Sequence, residues 1–105
     1  MAYVTSSLAE FYFKYGKLDK ALENNKKALE IRKNKFGEEH ATVALSYFYV
    51  GKTYMAMGDY SKALENHQKA LDIRKKVLKP GHQRIKNSEK AVEEAKQKLS
   101  EQKTK

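Results

Sequence analysis

The stretch Gly16–Lys33 reads GKLDKALENNKKALEIRK, and forty-two residues later Gly58–Lys75 reads GDYSKALENHQKALDIRK. Gly, Lys, Ala, Leu, Glu, Asn, Lys, Ala, Leu, Ile, Arg and Lys recur in register. A chain that repeats one pattern at a fixed spacing builds the same local unit twice, and stacking the units buries surface that each alone would leave in water. In the second copy Tyr60, Ala63, Leu64, His67, Ala70, Leu71 and Ile73 fall at i, i+3, i+4 spacing. Lys and Glu fill the opposite side, so the segment is a helix with one apolar stripe. Ala21, Leu22, Ala28, Leu29 and Ile31 give the same rhythm in the first copy.

The echo extends beyond the quoted stretch. Tyr12 precedes Gly16 as Tyr54 precedes Gly58, and His40 and Val43 are answered by His82 and Ile85. Each unit therefore reads as two helices. In "MGDY" Gly58 takes the left-handed conformation that ends one helix and Asp59 caps the next. In "KPGH" Pro80 cannot continue a helix; "FGEEH" is the matching turn of the first unit. The predicted helices span about 3–15, 18–35, 40–57, 60–78 and 83–102. The first unit covers about 2–37, the second about 40–79, and residues 1–103 form a single array. The fifth helix has a thin stripe of Ile85, Val92, Ala95 and Leu99, which suits a helix covering the end of a stack with its polar side in water. Small residues mark close helix contacts: Ala9 and Gly51 match in the first helices, Ala21 with Ala63 and Ala28 with Ala70 in the second.

Composition agrees with an all-α class. Of the 105 residues 33% are charged and 40% hydrophobic, with one Pro and five Gly. That balance suits amphipathic helices and not a disordered chain. There is no cysteine, which removes disulfides, thiolate metal sites and a Cys nucleophile. No apolar run has membrane-spanning length, and the N-terminal stretch lacks the basic-then-apolar order of a signal peptide. A cytoplasmic, non-membrane protein is the expectation. The formal net charge is +9, nearly all from lysine, with arginine only at 32, 74 and 84. Such a charge attracts nucleic acid or acidic peptides. Lysine interleaved with Glu on every helix nevertheless reads mainly as a solvated face.

These features resemble the tetratricopeptide repeat, a helix–turn–helix unit. The resemblance is carried by Leu8-Ala9, Tyr12, Gly16, Ala21 and Ala28 in the first unit. In the second it is carried by Val50-Gly51, Tyr54, Gly58-Asp59-Tyr60, Ala63 and Ala70. The period of 42, the ending ALDIRKKVL and the opening GEEHATVALSYFYVGKTY look like the subtype of kinesin light chains and nephrocystin-like proteins. The implied architecture is a right-handed α-solenoid of antiparallel helix hairpins: two repeat units and a C-terminal capping helix. The sequence departs from the family at the late aromatic of the second helix, which is Asn25 and His67 here. It departs again at the proline after the turn histidine, here Ala41 and Gln83.

The resemblance also implies a function. In the family the first helices line a concave groove that holds peptides. By position the groove here takes Tyr3, Ser6, Ser7, Glu10, Phe13 and Lys14 from the first unit, and Leu45, Phe48, Tyr49, Lys52, Met55 and Ala56 from the second. Lys90, Ala91 and Glu94 follow from the fifth helix. Ser6, Glu10 and Tyr49 stand where a chaperone-binding version places its carboxylate clamp, and Glu10 would repel a carboxylate, so that ligand is not expected. Lys14, Lys52 and Lys90 favour an acidic or aromatic-acidic segment.

Catalytic patterns are missing. The glycines are scattered and form no phosphate loop. Glu38-Glu39 and Glu93-Glu94 are adjacent, so neither pair faces itself across a substrate. No serine sits in a nucleophile elbow. His40 and His82 read as structural turn residues and not as metal ligands, and His67 as a packing residue. No enzyme and no cofactor are expected. The expected role is a non-catalytic protein–protein interaction scaffold. Two alternatives stand beside it: a lysine-rich nucleic-acid surface, and a minimal structural repeat that associates with itself.

Overall fold

A computed structural model describes the chain from residue 2 to 103 and side chains from 7 to 102. Five helices follow in order: α1 Ala2–Lys14, α2 Leu18–Phe36, α3 Ala41–Met57, α4 Tyr60–Val77 and α5 Gln83–Lys103. Each packs on its neighbour in sequence, the arrangement that short connections impose on antiparallel helices. The smallest dimension is 19 Å, about two helix diameters. The result is an all-α helical-repeat solenoid.

The turns form for local reasons. Gly58 closes α3 at φ 82°, ψ 7°, and its N–H reaches the carbonyls of Tyr54 and Met55. The Asp59 carboxylate accepts the Lys62 N–H at 3.2 Å, which satisfies one of the orphan donors of α4. The predicted start of the third helix at residue 40 is corrected by one position. His40 is extended, and its Nδ1 accepts the Thr42 N–H at 3.1 Å. His82 does the same for Arg84 at 3.0 Å. The repeated histidine is thus a helix N-cap, with the ring nitrogen in the role that Ser or Asp more often plays. Phe36 stacks on the His40 ring at 4.5 Å. The fourth helix ends at Val77, one residue before the predicted end. Leu78 turns extended there and packs beside Leu71, Ile85 and Val92.

The core is built of small residues. Ala9, Ala21, Ala28, Gly51, Ala63 and Ala70 are all buried, with Tyr54 among them and Tyr12 half-buried. Between them stand two clusters. Val50, Tyr54 and Ala63 pack with Leu22 and Met55 and join the units. Leu71, Ile85 and Val92 pack with Leu64 and join α4 to α5.

The closest approach is at Gly51. A methyl group there would lie 2.8 Å from the ring of His67, so the imidazole occupies the space that a side chain would need. His67 is fully buried. One period earlier the matching pair is Ala9 and Asn25, which share a small cleft. The larger ring in the second unit is accommodated by the smaller partner.

The stack is also pinned by a repeated polar contact. Arg32 donates to the Ser46 hydroxyl at 2.7 Å, and Arg74 donates to the Ser88 hydroxyl at 2.9 Å and the Arg84 carbonyl at 3.0 Å. Both contacts cross from the second helix of one unit to the next helix in the stack. Arg74 and Ser88 are buried, where a hydrogen bond to a charged group contributes most. Surface pairs such as Lys27–Glu23 and Lys69–Glu65 are exposed i, i+4 contacts that add little.

Two outcomes are expected. Gly51→Ala lowers stability by about 1–3 kcal/mol through overpacking. Adding His67→Asn, which recreates the Ala9–Asn25 pair, recovers most of it in a thermal melt. Ser88→Ala leaves the buried Arg74 short of an acceptor and costs about 1–3 kcal/mol, whereas Ser61→Ala on the exposed side of α4 leaves the melt unchanged.

Candidate functional site

Phe48, Lys52 and Met55 lie at i, i+4, i+7 on α3 and so share one face. Phe13 of α1 stands on one side of that face, and Lys90 and Glu94 of α5 on the other. Together they line an open cleft of about 550 Å³, which also touches Ala56, His67, Asn87 and Ala91. A second hollow of about 230 Å³ adjoins it and is lined by Ala9, Glu10, Asn25, Tyr49 and Thr53, with Phe13 and Lys52 common to both. The two make one strip across three helices. Phe13, Phe48 and Met55 give it apolar ground, and Lys52 and Lys90 stand as cations beside Glu94.

The side chains of the strip are held from beneath. The Lys52 ammonium lies over the Phe13 ring at 5.4 Å, a cation–π contact that bridges the units. Phe48 meets His67 edge to face at 5.1 Å and Tyr49 at 6.2 Å, with the Arg74 guanidinium over its ring at 4.9 Å. Thr53 is fixed between two contacts: it accepts from Asn25 at 3.2 Å and donates to the Tyr49 carbonyl at 2.9 Å.

Burial holds His67 well below its ordinary pKa of 6.5, to about 4, and the positive charges of Arg74 and Lys52 push the same way. The ring is therefore neutral at pH 7. Burial likewise lowers the Arg74 pKa from its usual value, and that guanidinium stays charged.

Of the residues expected in the groove, Phe13, Phe48, Lys52, Met55 and Lys90 meet in the larger cleft, and Tyr49 lines the smaller one. Lys14 lines neither; it is exposed, with its ammonium 5.9 Å from the Tyr15 ring. The Tyr3 and Ser6 side chains lie outside the described residues. Glu10 faces into the smaller hollow beside Tyr49 and Lys52. Phe48 has two roles, because it lines the cleft and also packs in the joint between α3 and α4. Sequence reasoning missed the Arg–Ser contacts. Their signal was present: two of the three arginines stand one period apart, each with a serine fourteen residues later. Among the described residues no three His, Asp or Glu side chains group as a metal site, and no helix is long and apolar enough to cross a membrane.

The family model of the tetratricopeptide repeat matches residues 1–76, which span the first unit and nearly all of the second. The chain belongs to the tetratricopeptide repeat family. No curated protein matches it in a sequence search. Tetratricopeptide repeats generally mediate protein–protein interactions, and the family is typically a non-catalytic scaffold. The fifth helix lies beyond the matched span yet supplies Lys90 and Glu94 to the cleft, so one wall of the strip comes from outside the matched repeats.

The buried imidazole gives the domain an acid-sensitive joint. Unfolded His67 takes up a proton near pH 6.5, but the folded ring does so only near pH 4. Its contribution is complete above pH 6.5 and is lost as the pH falls toward 4. Each pKa unit is worth about 1.4 kcal/mol, and solvent reaching the cleft reduces this, which leaves a loss of roughly 2 kcal/mol. Thermal melts between pH 7 and 4 should show this loss, and the His67→Asn chain should have a flatter profile.

Proposed function

We propose that the chain is a protein-interaction scaffold whose cleft between α1, α3 and α5 docks a peptide segment of a partner. The ligand is an extended or helical segment with acidic and apolar or aromatic side chains. The observation that carries this reading is the pairing, within one strip, of an apolar floor from Phe13, Phe48 and Met55 with flanking ammonium groups from Lys52 and Lys90. Aromatic and Met side chains give adaptable contact area. Lysine supplies attraction without fixed geometry, so the site selects a type of segment more than one residue. No bond is made or broken. The period of 42 and the opening of the second unit support placement with the kinesin-light-chain and nephrocystin-like subtype, and the cysteine-free composition suits the cytoplasm.

The reading is tested by titrating the chain with labelled peptides that alternate Asp or Glu with Phe or Leu, with Lys-substituted peptides as controls, followed by fluorescence anisotropy. Acidic-aromatic peptides should bind in preference. Lys52→Glu combined with Lys90→Glu should weaken them by on the order of 2 kcal/mol or more, while stability falls by no more than about 1 kcal/mol, the size of the exposed Lys52–Phe13 contact that is lost. Equal binding of the basic peptides, or capture of single-stranded DNA that survives high salt, would overturn the proposal.

A further inference from the structure

The second unit gathers cations where the alternation of lysine with carboxylate stops. Between Asp72 and Glu89 there is no Asp or Glu, and Arg74, Lys75, Lys76, Lys79, Arg84 and Lys86 fall in that span. The fold brings them to one corner. The Arg74 guanidinium donates to the Arg84 carbonyl at 3.0 Å, which holds the end of α4 against the start of α5. Arg74 is buried and committed to Ser88, and Lys76 pairs with Glu39 at 2.8 Å. Lys75, Lys79, Arg84 and Lys86 are exposed and line neither hollow of the strip. They form no ion pair among the described residues.

Local structure does not ask for this charge. One period earlier the matching turn has Gly37, Thr42 and Ala44 in place of Lys79, Arg84 and Lys86, and Glu38 and Glu39 in place of Pro80 and Gly81. That turn is capped by its histidine in the same way, and its carboxylates offset cations: Glu38 meets Lys33 at 3.8 Å and Glu39 meets Lys76. Lysines at the end of α4 suit the helix dipole. Arg84 and Lys86 do not, because they stand in the first turn of α5, where a cation is unfavourable and no acidic residue accompanies them. Arg74 registers the crowding, its pKa lowered by burial first and then by the charge of Arg84. The corner thus holds more positive charge than its own folding favours, which is the mark of a functional surface.

We propose that the corner formed by Lys75, Lys79, Arg84 and Lys86 docks the phosphate backbone of a nucleic-acid duplex without reading its sequence. An exposed lysine gains little from a single carboxylate, so an acidic protein segment would hold weakly to side chains that no pocket fixes. A duplex carries one charge about every 1.7 Å and releases counterions as its phosphates are neutralised, which rewards exposed cations of this kind. No aromatic ring stands among the four to stack an unpaired base; the Phe36 ring of the preceding turn is already stacked on His40. A bilayer would call for apolar side chains to insert. Of the large apolar side chains at this turn only Val77 is exposed, and Leu78 packs inward beside Leu71, Ile85 and Val92.

A short labelled DNA duplex of mixed sequence, titrated with the whole chain and followed by fluorescence anisotropy, tests this. From about 50 mM salt upward, log K should fall against log salt with a slope of about −3.6, or about −0.9 for each of the four cations. Lys79→Gln with Arg84→Gln and Lys86→Gln should weaken binding at least about tenfold at the lowest salt and make the slope shallower by about 2.7. The melt of this variant should not fall, because all three side chains are exposed. Lys17→Gln with Lys20→Gln and Lys96→Gln removes the same charge from exposed positions elsewhere and should change affinity by less than about threefold, with the slope kept. A chain that leaves the duplex unbound at the lowest salt overturns the proposal. So does an equal loss in the two triple variants, an unchanged slope in the corner variant, or a single strand of the same length bound as tightly. Phosphatidylserine vesicles that lose binding in the corner variant when the duplex does not would overturn it too.

Discussion

The contact between the His67 ring and the bare α-carbon of Gly51 sets the spacing of α3 and α4, and much of the second half of the molecule depends on that spacing. The ring leaves no room for a methyl group on its neighbour. It is also the surface that Phe48 meets edge-on, and Phe48 in turn lies beneath the Arg74 guanidinium. Arg74 reaches across to Ser88 and fixes α5. A chain of contacts thus runs from one close approach between backbone and ring to the last helix of the stack. Protein interiors transmit such constraints because they are packed nearly as densely as organic crystals.

The same chain of contacts ties stability to the candidate binding strip. Phe48 contributes one face to the cleft and another to the joint, and His67 forms part of its floor. A ligand in the cleft would rest on groups that are already immobilised, which reduces the ordering cost of binding. The cost appears in acid. A neutral imidazole held among Arg74 and Lys52 resists protonation, so the rigidity beneath the strip belongs to neutral pH. Lys52 and Lys90 are exposed, and they carry the charge that a partner would meet.

The first and last of the five helices differ in the side they turn away from their neighbour. α5 buries Ile85, Val92 and Ala95 on one side and gives water a charged surface on the other. α1 leaves Leu8 and Phe11 exposed, with Tyr15 exposed in the turn that follows it. A polar outer side of this kind is what a helix needs to face solvent at the end of a stack, and α5 has it.

The helices, their turns and their pairing were legible in the sequence because they depend on local or periodic properties. Gly58 and Asp59 stop and start helices through their own backbone and side chain. The matched alanines, with Gly51, mark close approach wherever the period places them. The repeat fixed the order of the stack and, through the family resemblance, which faces would share a side, so Phe13, Phe48, Lys52 and Met55 were expected together. Tertiary structure decided what lies between elements. That His67 fills the space above Gly51, that Arg74 finds Ser88, and that Lys14 falls outside the strip while Phe11 stands open all depend on rotamers and interhelical distances. Periodicity assigns a residue to a face, but its partner is settled only when two faces are brought to within a side chain's reach.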